Sequence, residues 1–141
     1  MFGNEEKGLT VEDVNSNEFW VADSGASVHM GNCKKGMFET EEVNEKVRVG
    51  SGEELQVELI GKKKVKVIQA DGTNIDVLLN PYKYVPDLCA NLFSLTKALD
   101  NGWELNSKGK MILISKQGVI VKFDQTLKTG AGFITGVRMI P

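Results

Sequence analysis

Histidine and cysteine are scarce in this sequence, whose 141 residues include one histidine, His29, and two cysteines, Cys33 and Cys89. Three scattered ligands without a paired motif give weak support for a zinc site, so we interpret His29 as a packed or hydrogen-bonded core residue. We interpret both cysteines as small buried apolar side chains. Two cysteines cannot form a framework of disulfides, which favours a reducing, cytoplasmic location.

Long apolar runs are also absent. No segment is long enough to cross a bilayer, and the start of the chain shows no cationic stretch followed by an apolar core. The net charge is −2 and the pI is near 5.5, which disfavours binding that depends on neutralising phosphates. No glycine-rich loop leads into a helix, as phosphate binding requires. We therefore expect no metal or other cofactor, no membrane and no direct nucleic-acid partner.

The length and the composition, with 41% hydrophobic and 26% charged residues, fit one ordinary domain. Residues 1–17 are acidic with few apolar anchors, and we interpret them as a flexible arm. Order is expected to begin at Phe19, in a short β-prone run that ends at the turn-like Asp23-Ser24-Gly25. Between Val28 and Thr40 the pattern predicts a loop with one short strand.

Period-two alternation of apolar residues dominates the middle of the chain. It predicts a β-hairpin around Gly50-Ser51-Gly52 and a second turn at Asp71-Gly72. Lys62-Lys63-Lys64 is interpreted as a solvated turn and strand end. A further short strand is expected over Tyr82–Val85, where Pro86 would stop it.

One segment has helical spacing, with apolar residues on one face at Leu92, Leu95, Ala98 and Leu99. Asn91 is placed to cap the start of this helix, and Asn101-Gly102 to end it. Strand patterns return over residues 103–105, 111–114, 119–123 and 133–140, with a hairpin turn at Gln117-Gly118. The sequence therefore predicts a mainly β fold with one short helix.

The segment 20–30 reads W-V-A-D-S-G-A-S-V-H-M. An aspartate placed directly after an apolar β run is held at a strand end, and Gly25 lets main-chain N–H groups approach the carboxylate of Asp23. Alone, Asp-Ser-Gly is a common turn. Two further motifs follow it in order: V-R-V-G-S-G at 47–52, and Y-V-P-D-L at 84–88 followed by N-L-F-S-L at 91–95.

Together, these motifs resemble the aspartic protease of copia-type LTR retrotransposon polyproteins, and their order also resembles retroviral proteases. The resemblance covers residues 19–105. It implies a retropepsin-like closed β-barrel half over residues 18–106 with one short C-terminal helix, followed by a β-rich extension over residues 107–141 packed on or next to it. It also implies an aspartic endopeptidase that processes a retrotransposon polyprotein, in the cytoplasm within virus-like particles.

A single Asp-Ser-Gly gives each chain half of a two-carboxylate site. Peptide hydrolysis by activated water needs one group that takes a proton and another that gives one. A two-fold symmetric homodimer would bring a second Asp23 to the axis. Two such carboxylates cannot both ionise easily, so the pair should titrate in two separated steps.

The resemblance implies a role for each matched residue. Asp23 is the catalytic residue, while Ser24 and Gly25 support the active site, with Ser24 bonding across the dimer axis. Ala26 and Ser27 would bind an extended peptide substrate by strand addition. The hairpin residues Val49, Gly50, Ser51 and Gly52 would also contact the peptide as a flap that closes over it, the alternative being a plain surface turn.

Two positions depart from the retroviral pattern. Retroviral relatives usually carry an acidic residue at the place of Ser27 and an arginine at the place of Ala90. Because both charges are absent together, no buried charge is left unpaired. We expect a dimer that is weaker than in retroviral relatives, or one held by other contacts.

Two other functions stay open. The first is a β-rich interaction or assembly domain that keeps the protease fold without its chemistry, for instance a domesticated copy. The second, a metal-dependent nucleic-acid module, would need tight zinc retention by His29, Cys33 and Cys89. The extension over residues 107–141 either folds onto the protease domain or extends the sheet of the dimer.

Overall fold

A computed structural model describes residues 18–130 and 132–141. The predicted arm over residues 1–17 lies outside the described residues. Within them the chain forms eleven strands and one short helix. These are β1 (Phe19–Asp23), β2 (His29–Gly31), β3 (Met37–Arg48), β4 (Glu54–Ile68), β5 (Asn74–Tyr84), β6 (Asn91–Ser94), α1 (Leu95–Asp100), β7 (Glu104–Lys108), β8 (Met111–Lys116), β9 (Val119–Phe123), β10 (Gln125–Thr129) and β11 (Gly132–Ile140).

Eight strands form one sheet in the order β10-β11-β1-β6-β2-β5-β4-β3. An additional antiparallel pairing of β11 with β4 joins the strands from β11 to β4 into a closed ring. Strands β7, β8 and β9 form a separate three-stranded antiparallel sheet. The predicted mainly β, barrel-like fold with one short helix and a β-rich C-terminal extension is confirmed.

The main hydrophobic core combines residues from both ends of the described chain. Trp20 of β1 and Phe93 of β6 belong to the same buried cluster as Phe123 of β9 and Val137 of β11. Burial of each such side chain contributes about 1.5–3 kcal/mol. A smaller cluster around Met30 lies beneath the hairpin of β3 and β4.

The predicted turns are confirmed. Gly52 and Gly72 adopt positive φ angles of 88° and 91° between paired strands, and Gln117-Gly118 joins β8 to β9 with φ angles of 52° and 82°. The strands are longer than expected. β3 begins at Met37, inside the predicted loop, and the predicted strand over Tyr82–Val85 is the end of β5 together with the residue after it.

The predicted start of the helix is wrong. Residues Asn91–Ser94 form β6, because they pair in parallel with β1, and Leu92 lies opposite Val21. The helix begins at Leu95, and its N-cap is Ser94, whose hydroxyl oxygen accepts a hydrogen bond from the Lys97 N–H at 3.0 Å. It ends as predicted at Asn101, before Gly102 with a φ of 92°.

The interpretation of the lysine run as solvated is wrong for Lys63, which is 2% exposed. Strand alternation places Lys63 on the same face of β4 as Val65 and Val67. Its ammonium group donates to the carbonyl oxygen of Cys33 at 2.7 Å and lies 4.7 Å from the centre of the Tyr82 ring. Burial lowers the pKa of Lys63.

Two smaller expectations also need correction. Cys89 is exposed and Cys33 is half-buried, so neither is the fully buried apolar side chain that we expected. β10 was not predicted, because its segment contains a single strongly apolar residue, Leu127, and shows no alternation. Among the described residues, no helix has the length and apolar character needed to cross a membrane.

Replacing Gly136 of β11 by alanine should test how firmly the C-terminal strand is built into the barrel. A Cβ atom there would overlap the carbonyl oxygen of Trp20 and lie 2.5 Å from the ring of Phe19. We expect Gly136→Ala to lower the free energy of unfolding by about 1–3 kcal/mol, measured by urea denaturation. Gly130→Ala is the control, since a Cβ at Gly130 meets no atom within 4 Å. Equal stability of both variants would contradict this arrangement.

Candidate active site

Asp23 is the last residue of β1, a strand with neighbours on both sides. On one side β6 runs parallel to it, with Ser94 opposite Asp23. On the other side β11 runs antiparallel, with Gly136 opposite Val21. Because Phe19 and Trp20 are buried, the strand is anchored in the core and presents Asp23 at its end.

The turn after β1 brings a main-chain donor to the carboxylate. The N–H of Gly25 donates to Oδ1 of Asp23 at 2.7 Å. A Cβ at position 25 would lie 3.3 Å from the same oxygen, so glycine makes this close approach easier. The proximity of main-chain N–H and carboxylate that the sequence predicts is therefore present.

The remaining residues of the loop divide into buried and exposed ones. Ser24, Gly25 and Ser27 are exposed, whereas Ala26 is buried. Asp23 itself is half-buried. The loop therefore presents a row of polar groups next to the carboxylate, with one small apolar side chain turned into the protein.

Ser94 and Thr96 stabilise this loop through hydrogen bonds to its main chain. The Ser94 hydroxyl donates to the carbonyl oxygen of Ala26 at 2.7 Å, and the Thr96 hydroxyl donates to the carbonyl oxygen of Ser24 at 3.3 Å. Sequence reasoning missed both residues. The signal available was the serine that ends the N-L-F-S run, a residue type that favours helix N-caps.

His29, at the start of β2, is buried behind the same loop and is 3% exposed. Its Nδ1 accepts a hydrogen bond from the Ser94 N–H at 3.0 Å, and its ring lies 4.5 Å from that of Phe93. Burial, and to a lesser extent the positive charge of Lys97, lowers the pKa of His29 to about 4. The interpretation of His29 as a packed, hydrogen-bonded core residue is confirmed.

The candidate flap is the turn between β3 and β4. The Gly52 N–H donates to the Val49 carbonyl oxygen at 2.8 Å, and the Val49 N–H donates to that of Glu53 at 3.0 Å. A Cβ atom at either Gly50 or Gly52 would meet nothing within 4 Å, so the tip is surrounded by open space.

The base of this hairpin packs against residues that follow the Asp23 loop. Val47, Val49 and Leu55 contact the small cluster that contains Met30, and Val28 packs on it too. The hairpin and the loop therefore share one patch of core. A surface groove of about 440 Å³ lies elsewhere, on β4 and β5 next to Leu78, and its lining does not include Asp23.

The alternative function that needs a zinc site depends on a cluster of metal-ligating side chains. Within residues 18–130 and 132–141, no three side chains among histidine, cysteine, aspartate and glutamate are placed to hold a metal ion. His29 instead uses its Nδ1 lone pair for Ser94.

The fold and the loop define a small β-barrel domain with a strand-end aspartate. The family model described as "Pol polyprotein, beta-barrel domain" matches residues 20–103, more than half of the chain and all three motifs. The chain therefore belongs to this family, and it is a domain of a retroelement polyprotein. Searches of curated proteins and of solved structures gave no match.

Replacing Ser94 by alanine should destabilise the domain, because it removes the helix N-cap and the donor to Ala26. The loss of a cap costs about 0.5–2 kcal/mol, and an unsatisfied carbonyl adds to it. We expect Ser94→Ala to lower the free energy of unfolding by about 1–3 kcal/mol in urea denaturation. Thr96→Ala, which removes an exposed and longer bond, should stay within about 0.5 kcal/mol of the unmodified protein. A reversed order would contradict the role given to Ser94.

Proposed function

We propose that this domain is the aspartic endopeptidase of its retroelement polyprotein and that it acts as a homodimer. The observation that carries the proposal is the placement of Asp23. Its carboxylate stands at the end of an anchored strand, with the Gly25 N–H at 2.7 Å. The Ser94 hydroxyl fixes the loop behind it. Such rigid support is what a positioned acid or base needs.

In this mechanism two Asp23 carboxylates hold one water molecule between them. The ionised one takes a proton from the water, which attacks the peptide carbonyl carbon, while the protonated one donates a proton to the reacting carbonyl oxygen. Each chain supplies one Asp-Ser-Gly segment, so the second carboxylate comes from the other copy in a two-fold dimer. Because like charges repel, the two carboxyl groups of the pair would share one proton.

The substrate is an extended segment of the polyprotein. The exposed main chain at Gly25 and Ser27, together with Ala26, would pair with it as an added strand. The hairpin tip at residues 49–52 would close over the peptide as a flap. The open space around Gly50 and Gly52 supports this, because a Cβ atom at either glycine would meet no other atom within 4 Å.

The proposed dimer also explains why the lining of the groove described above does not include Asp23. In a site that lies on a two-fold axis, each chain forms only one wall, so a single chain need not enclose a cavity there. The absence of charge at both Ser27 and Ala90 leaves this interface without the ion pair of retroviral relatives. We propose that the dimer is correspondingly weak and works in the cytoplasm within virus-like particles, where local concentration is high.

Replacing Asp23 by asparagine should abolish cleavage without unfolding the protein. Asparagine keeps the shape of the side chain and an oxygen for the Gly25 N–H, but it cannot take up a proton from water. We expect cleavage of a peptide library at acidic pH to fall by at least about 10²–10⁴-fold, with an unchanged melting temperature.

Asp87→Asn is the control, because it makes the same chemical change at a solvent-exposed aspartate that lies outside the candidate site. It should cleave at the normal rate and respond to a transition-state-mimic inhibitor of aspartic proteases. Undiminished cleavage by Asp23→Asn would overturn the assignment. If the unmodified protein cleaves no peptide at any pH, the catalytically silent interaction domain is the better description.

The dimer should dissociate on dilution. Sedimentation at micromolar concentration is expected to give a dimer, and at nanomolar concentration a monomer, with specific activity falling in parallel. A strictly monomeric and fully active protein would contradict the shared site. A dimer that persists at nanomolar concentration would contradict only the expected weakness of the interface.

A further inference from the structure

The hydrogen bond between His29 and Ser94 fixes the protonation state of the histidine ring. The Ser94 main-chain nitrogen can only donate, so Nδ1 of His29 must be the acceptor and carries no proton. The ring is therefore neutral, with its proton on Nε2. With 3% of the residue exposed and Phe93 packed at 4.5 Å, this arrangement is enclosed by protein.

Ser94 connects this ring to the Asp23 loop. Its hydroxyl receives the Lys97 N–H at 3.0 Å and so directs its own proton to the carbonyl oxygen of Ala26 at 2.7 Å. Its main chain lies opposite Asp23 in the pairing of β1 with β6. A shift of Ser94 therefore moves both the strand end and the loop that present the carboxylate.

We propose that His29 is a positioning residue for the Asp23 site: its neutral imidazole holds the Ser94 main chain, and Ser94 in turn holds the loop at Ala26. We call the two hydrogen bonds that link His29 to Ser94 and Ser94 to Ala26 the relay. The effect on catalysis rests on the proposed protease function, whereas the existence of the relay does not. His29 touches neither substrate nor the reacting atoms and acts only through Ser94.

The surroundings of His29 favour its neutral form. On the neighbouring strand β5 its register partner is Tyr82, whose phenol stays neutral because burial raises its pKa. From β6 it meets the uncharged Phe93 ring and the Ser94 N–H, and Asp23 belongs to β1, the strand beyond β6. From α1 the positive charge of Lys97 acts on it. Protonation would turn Nδ1 into a donor that faces another donor.

The relay has a defined pH dependence. The pKa of His29 is lowered from 6.5 to about 4 in the folded protein. Between these values the unfolded chain binds the proton more readily than the folded one. The contribution of His29 to the free energy of unfolding is therefore fully present above pH 6.5 and decreases as the pH falls from 6.5 to about 4. Below about pH 4 the ring is protonated in the folded protein too, and the relay breaks.

The test compares His29→Asn with His29→Leu. The Oδ1 of asparagine can stand near the place of Nδ1 and accept from Ser94 without titrating, whereas leucine fills similar space without an acceptor. The first readout is independent of activity: nitrogen NMR of the His29 ring reports its tautomer, and amide hydrogen exchange reports the Ser94 N–H. The second readout is kcat and KM for a cleaved peptide between pH 3.5 and 7.5.

We expect the unmodified protein to show the Nε2–H tautomer at pH 7 and a protected Ser94 amide. His29→Leu should speed exchange of this amide and lower kcat, each by at least about tenfold, with little change in KM. His29→Asn should recover both, and its melting temperature should fall less below pH 6.5 than that of the unmodified protein. If His29→Leu does not fold, the comparison of His29→Asn with the unmodified protein decides.

Some results would overturn the proposal. These are a charged ring or an Nδ1–H tautomer at pH 7, or normal Ser94 protection and normal kcat in His29→Leu. A pH dependence of the melting temperature that is the same in His29→Asn would do so too. A protein that cleaves no peptide would remove the protease function, while tautomer and exchange would still decide whether the relay exists.

Discussion

The parallel pairing of β1 with β6 is the constraint on which the rest of the site depends. It places Asp23 opposite Ser94 at the point where both strands end. At this point β1 leads into the Asp-Ser-Gly loop, and β6 leads into α1. Because Ser94 is at once a strand residue and the N-cap of the helix, the register of two strands, the start of a helix and the position of a loop are fixed together.

The other edge of β1 is covered by the last strand of the chain. β11 pairs with β1 and, further along, with β4, and so closes the ring of strands. Without it, β1 would present an unpaired edge, which can twist or recruit a strand from another molecule. At Gly136 the absence of a side chain lets the two backbones pack together, since a Cβ atom there would overlap the carbonyl oxygen of Trp20. Residues far beyond the Asp23 motif in sequence therefore hold the strand that presents it.

Local signals in the sequence were sufficient to predict the turns and the position of Asp23 at a strand end, whereas tertiary pairing determined the features that the sequence did not predict. Positive φ at Gly52 and Gly72 follows from local chemistry, as does the approach of Gly25 to the carboxylate. The start of the helix was misplaced because the spacing of Leu92 also fits a helical face. Only the pairing of Leu92 with Val21 of β1 shows that it belongs to a strand. Lys63 looked solvated because burial of a lysine depends on the distant acceptor at Cys33.

The neutral histidine and the proposed carboxylate pair make opposite demands on pH. A pair that shares one proton is favoured by acid, because two adjacent carboxylates resist ionising together. The relay through Ser94 is weakened by acid, because the ring of His29 must stay neutral to accept the main-chain N–H. The pKa of about 4 for His29 reconciles the two, since burial keeps the ring neutral well into the acidic range. The same burial that costs stability as the pH falls therefore preserves the loop geometry under the conditions in which a shared proton is available.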